Sequence, residues 1–95
     1  MSKKPDVTLA QLRYFIEAAT HLSMTRAAEE LFVAQSAVSS AIAQLEQQVG
    51  AQLFIRQRSR GLTLTPAGQQ FLGDARALLL NLEEALDTAR GIDNQ

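Results

Sequence analysis

From Phe71 to Ile92, apolar residues recur at alternating steps of four and three: Phe71, Ala75, Leu78, Leu82, Ala85, Ala89 and Ile92, with Leu72, Leu79 and Leu86 repeating every seventh residue beside them. That is the period of an α-helix with a broad apolar stripe. Thr65 supplies a capping hydroxyl, and Pro66 suits a first helical position because the N–H it lacks would be unpaired there anyway. The pattern predicts one helix from Pro66 to about Arg90, with the tail from Gly91 to Gln95 frayed. At 1.5 Å per residue such a helix is a rod of ~37 Å. In a chain of 95 residues it leaves only residues 1–65 to build a core. The stripe is also too wide for one seam, so one edge can cover the chain's own core while the other meets a second copy. Phe71, Ala75, Leu78, Leu79, Leu82, Ala85, Leu86 and Ala89 are the expected dimerisation residues. The alternative is a helix folded wholly onto its own domain.

Residues 1–65 divide into three helical signals and a hairpin. Thr8 followed by Gln11 has the form of a capping box, and Leu9, Leu12, Phe15, Ile16, Ala19 and Leu22 then keep helical spacing to about His21. A shorter helix follows the cap-competent Ser23 and Thr25, with Met24, Ala27, Ala28 and Leu31 apolar and Arg26, Glu29 and Glu30 turned outward. After Phe32-Val33-Ala34, apolar residues resume at Val38, Ala41, Ile42, Leu45 and Val49, and Gly50 can adopt the left-handed conformation that closes a helix. The third helix is expected over about Gln35 to Gln48. Leu53 to Arg56 and Leu62 to Thr65 are rich in strand formers and flank a basic, glycine-containing tip, Gln57-Arg58-Ser59-Arg60-Gly61. Helix, helix, helix, hairpin and long helix is the order of a mostly α fold, a winged helix-turn-helix with a C-terminal extension.

Ala27 and Ala28 allow the second and third helices to approach closely, and Leu31, Val33, Val38 and Ile42 can fill the space beneath their turn. What remains on the third helix is Gln35, Ser36, Ser39 and Ser40, within its first turn and a half. A surface face is usually charged, yet no charged residue occurs from Phe32 to Gln44. Short neutral polar side chains let a helix enter the major groove, where glutamine can pair with an adenine edge and serine can serve several bases.

The net charge of −1 argues against a nucleic-acid partner until its distribution is considered. Residues 1–65 hold seven basic and five acidic side chains, whereas residues 66–95 hold two and five. Three arginines, Arg56, Arg58 and Arg60, crowd into the hairpin. Beside a groove-reading helix they would meet phosphates or the flanking minor groove, Arg56 as a phosphate candidate only.

Taken in order, Leu12-Arg13-Tyr14-Phe15, Ser23 to Leu31, Ala34 to Ile42 with Leu45-Glu46 and Gly50, Leu53-Phe54 and Leu64-Thr65-Pro66-Ala67-Gly68 resemble the N-terminal domain of LysR-type transcriptional regulators. The resemblance covers nearly the whole chain. It implies a bacterial, cytoplasmic DNA-binding protein: residues 1–65 as the reading domain, residues 66–95 as a linker and dimerisation helix. It further implies a homodimer on an interrupted palindromic operator, and a small-molecule effector acting through a domain absent from this chain. By the same resemblance Gln35, Ser36, Ser39 and Ser40 touch bases or phosphates, Thr25 makes a backbone contact, and Arg60 before Gly61 is the wing arginine. Two positions depart from the family pattern. Ala34 stands where a capping serine is common, and Ser40 where many members carry Arg or Gln, which implies a shorter-range readout.

With no cysteine, the chain has no disulfide, thiolate ligand or thiol nucleophile, and its one histidine, His21, has no second ligand at metal spacing. No cofactor is expected, nor is an enzyme, and no apolar run approaches the ~18–20 residues of a membrane span. Two other readings share parts of the pattern: a helical protein-interaction module that never touches DNA, and a winged-helix repressor of another family. DNA affinity that falls steeply with salt would separate the first of these from a regulator.

Overall fold

The computed structural model describes residues 6–57 and 61–93. In chain order its elements are α1 (Leu9–His21), α2 (Met24–Leu31), α3 (Gln35–Val49), β1 (Phe54–Gln57), β2 (Gly61–Leu64) and α4 (Pro66–Asp93). The order is the expected one. Both strands differ from expectation by one residue, β1 starting and running one later and β2 starting and ending one earlier, because the register pairs Phe54 with Leu64 and Gln57 with Gly61. The tail expected to fray from Gly91 instead continues α4 through Asp93.

Each start is set locally. At α1 the Thr8 hydroxyl accepts the Gln11 N–H at 3.1 Å while the Gln11 side chain accepts the Thr8 N–H at 3.0 Å, a complete capping box. Ser23, not Thr25, caps α2, accepting the Arg26 N–H at 3.1 Å. Ala34 offers α3 no side-chain cap, as its departure from the family pattern implies. Thr65 caps α4 by accepting the Gly68 N–H at 2.9 Å. The first three helices all end on a left-handed residue, Leu22 (φ 49°), Phe32 (φ 56°) and Gly50 (φ 81°). Only Gly50 is a residue that takes this conformation without steric cost.

Phe15 is the centre of the core. It is wholly buried, with its ring 5.4 Å from that of Phe54 on β1 and 5.3 Å from that of Phe71 on α4. Tilted contacts of this kind add about 0.5–1.5 kcal/mol to the gain from burial. Ala27 and Ala28 are buried where α2 meets its neighbours, and Val38, Ile42 and Leu45 line the inner face of α3. Leu31 and Val33 are only half-buried. The first turns of α4 belong to this core. Ala75 is wholly buried and the half-buried Phe71 and Leu72 pack beside it, so Ala75, expected between copies, is instead enclosed by its own domain, while Phe71 is only partly covered by it. Gly68 makes that approach possible, since a Cβ there would collide with the Leu53 carbonyl and lie 3.0 Å from Leu64 Cδ2.

Candidate nucleic-acid interface

The candidate reading face is assembled from three chain segments whose ends converge. Gln35 begins α3 and Thr25 is the second residue of α2, and the Thr25 hydroxyl donates to Gln35 Oε1 at 3.2 Å. Gln35, Ser36 and Ser40 are exposed, whereas Ser39 is half-buried. Residues four apart share a helix face, so Gln35 and Ser39 form one row and Ser36 and Ser40 its neighbour.

The Gln35 row faces the hairpin. Side chains alternate along a strand, which places Phe54 and Arg56 on one face of β1, with their partners Leu64 and Leu62 alongside. Phe54 and Leu62 are buried on that face, so Arg56 extends from the core side of the hairpin. It borders two clefts. One, of about 370 Å³, is lined by Leu22, Ser23, Met24, Thr25, Gln35, Arg56, Gln57, Gly61 and Leu62. The other, of about 360 Å³, includes Ser39, Ala43, Glu46, Gln52, Ile55 and Arg56. Ser36 and Ser40 border neither. Among the described residues no carboxylate lies within ion-pairing distance of Arg56, since the ion pairs there are His21 with Glu17 and Arg90 with Asp87.

Glu46 fixes the hairpin to α3. Its Oε2 accepts the Leu53 N–H at 2.7 Å and the Phe54 N–H at 3.3 Å, and the Thr65 hydroxyl donates to the Gln52 carbonyl at 2.7 Å on the return strand's far side. Sequence reasoning did not single out Glu46, Gln52 and Gln57, which line these clefts beside the candidate residues. The Leu45-Glu46 pair offered a signal, a carboxylate following a core leucine just ahead of the hairpin. Arg58 and Arg60, expected at the wing tip, lie outside the described residues.

On α4 the remaining dimerisation candidates are more open. Leu79 and Leu82 are half-buried, Ala85 and Ala89 are exposed, and Leu78 and Leu86 are 55% and 44% exposed. Leu80, which the heptad pattern omits, is 56% exposed. Among the described residues no helix is long and apolar enough to cross a membrane, and no three metal-ligating side chains gather.

A three-helix core, a two-stranded wing and an uncharged, exposed helix end define the winged helix-turn-helix class. The family model for "Bacterial regulatory helix-turn-helix protein, lysR family" matches residues 9–69, and the chain belongs to this family. The glycine cleavage system transcriptional activator of Escherichia coli K12 is 52% identical over 77 residues, which are 81% of this chain and 25% of that protein. The chain thus spans about a quarter of that relative's length. Among solved structures, the BenM DNA-binding domain in complex with catB site 1 DNA superposes with a TM-score of 0.88 at 35% identity, covering 93% of this chain and 98% of that one. The CbnR DNA-binding domain in its DNA complex gives 0.86 at 36% identity, covering 90% and 97%.

Proposed function

We propose that this chain is the DNA-reading part of a LysR-type transcriptional regulator, with α3 in the major groove and the wing on the flanking backbone or minor groove. Residues 1–65 read and residues 66–95 pair two copies on an interrupted palindrome in the cytoplasm. Control by a small-molecule effector falls to a domain outside this chain, and no catalytic step is assigned to it. The observation that carries the reading is Arg56: a cation without a carboxylate partner among the described residues, set between clefts that also hold Gln35 and Ser39. A phosphate is the partner such a cation lacks. Ser36, Ser39 and Ser40 complete the contact surface, with Arg58 and Arg60 assigned to it from the sequence, while Thr25 stands beside Gln35 with its hydroxyl on the Gln35 amide oxygen.

Reading and anchoring separate experimentally. Gln35→Ala costs about 1–3 kcal/mol per half-site against the preferred base pair and relaxes specificity there. Arg56→Ala weakens binding to operator and scrambled duplex alike and lowers the salt slope by about one charge per subunit. Titrations of both variants against both duplexes at several salt concentrations decide the matter. Unchanged base preference in the first variant, or an unchanged slope in the second, removes that residue from the interface.

A further inference from the structure

The contact between Thr25 and Gln35 joins two side chains that are both exposed, at the point where the N-terminal ends of α2 and α3 meet. In water such a bond is weak, because solvent competes for both partners. Closing a DNA surface over it removes that competition and strengthens it. Thr25 is free for this task because Ser23 already caps α2. Its β-branched side chain is restricted about χ1, which lowers the entropic cost of holding the hydroxyl in this contact.

A hydroxyl has a single proton to donate. Phosphate oxygens only accept, so a proton given to Gln35 Oε1 is not given to the DNA backbone. The geometry points to Thr25 as a positioning residue for base reading: its hydroxyl holds the amide oxygen of Gln35, so that Gln35 meets the groove in one orientation with its Nε2 donors free. This rests on the reading that Gln35 faces the bases, and it departs from the backbone contact that family resemblance implies for Thr25. With one lone pair of Oε1 taken by Thr25 and the amide plane fixed, an amino group, N6 of adenine or N4 of cytosine, has only the second lone pair to approach, from a restricted direction, and such edges lose ground. Edges that present acceptors are favoured.

The experiment first selects a preferred duplex with the unaltered chain, then changes each base pair singly and measures affinity for the parent, Thr25→Val, Thr25→Ala, Thr25→Ser and Gln35→Ala. Thr25→Val and Thr25→Ala should each relax discrimination at the Gln35 base pair about three- to tenfold, by admitting amino-bearing edges, and leave affinity for scrambled duplex within about twofold. Thr25→Ser should keep the parent's preference, and adding Thr25→Val to Gln35→Ala should change nothing more. Equal losses on preferred and scrambled duplex, or an unaltered base preference in both hydroxyl-deleting variants, overturn the proposal in favour of a backbone contact or no contact. Gln35→Ala that changes preference at no base pair overturns the underlying reading instead, and so is told apart from failure at Thr25.

Discussion

The carboxylate of Glu46 accepts the backbone N–H of Leu53 at 2.7 Å, tying the second half of α3 to the residue that leads into the wing. The same oxygen takes the Phe54 N–H, and Leu53 and Phe54 are both buried. Glu46→Ala leaves two N–H groups without their partner and should lower stability by about 1–3 kcal/mol. Glu46→Gln keeps one acceptor oxygen and should lose less. Chemical denaturation gives the order, and hydrogen exchange at Leu53 and Phe54 should accelerate in the alanine variant before the rest of the hairpin. A loss below about 0.5 kcal/mol for Glu46→Ala would mean that water replaces the carboxylate freely.

Two glycines on α4 should respond in opposite directions to the same change. Gly68→Ala places a methyl group against the Leu53 carbonyl and the Leu64 side chain, so α4 must lift from the hairpin, at a cost of about 2–4 kcal/mol. Gly73 has nothing within 4 Å of its would-be Cβ, and Gly73→Ala should stabilise by up to about 1 kcal/mol through helix propensity alone. Thermal unfolding of the two variants against the parent tests the packing of α4 on its own domain. A stable Gly68→Ala variant would refute it.

Helix ends show what the sequence made legible and what it hid. Thr8, Ser23 and Thr65 were readable as caps because a side-chain oxygen at a helix start has one obvious use, and Gly50 was readable as a stop. The left-handed Leu22 and Phe32 were not, since nothing in a leucine or phenylalanine announces a conformation that costs it energy. Here the α1–α2 and α2–α3 turns impose it, with Val33 N–H reaching the Ala28 carbonyl at 3.0 Å to close the end of α2. The exposure of Gln35, Ser36 and Ser40 was legible in the polar, uncharged run at the start of α3. Arg56 was harder to rank, because its place between two clefts depends on strand alternation and on the exact register of β1 against β2. The split of the α4 stripe was equally hidden. Ala75 and Ala89 occupy the same kind of position in the repeat, and only packing against Phe15 and its neighbours distinguishes the buried one from the exposed one.

Phe32 combines a left-handed backbone with a ring that is 94% exposed, so little contact offsets its strain. An L-residue in this region costs about 1–2 kcal/mol, part of which glycine returns as unfolded-state entropy. Phe32→Gly should therefore stabilise the fold by about 0.5–1 kcal/mol, or several degrees in melting temperature for a domain of this size. Calorimetry of parent and variant checks it. A lower melting temperature would show that the ring makes a stabilising contact in solution.

The exposed leucines of α4 predict how two copies meet. Leu78 and Leu86 are largely uncovered in the single chain, so replacing both by aspartate removes nothing from the core around Phe15. In a seam between two copies, the same changes would place charges in a desolvated contact and abolish pairing. Leu78→Asp with Leu86→Asp should sediment as a monomer at concentrations where the parent is a dimer, with its helical circular dichroism retained. Dimers also melt at temperatures that rise with protein concentration, a dependence that the double variant should lose. Its affinity for an operator should fall far more than its affinity for scrambled duplex, because only the operator engages both reading heads at once. A double variant that stays dimeric would place the interface on another surface, with the exposed Leu80 the first residue to change next.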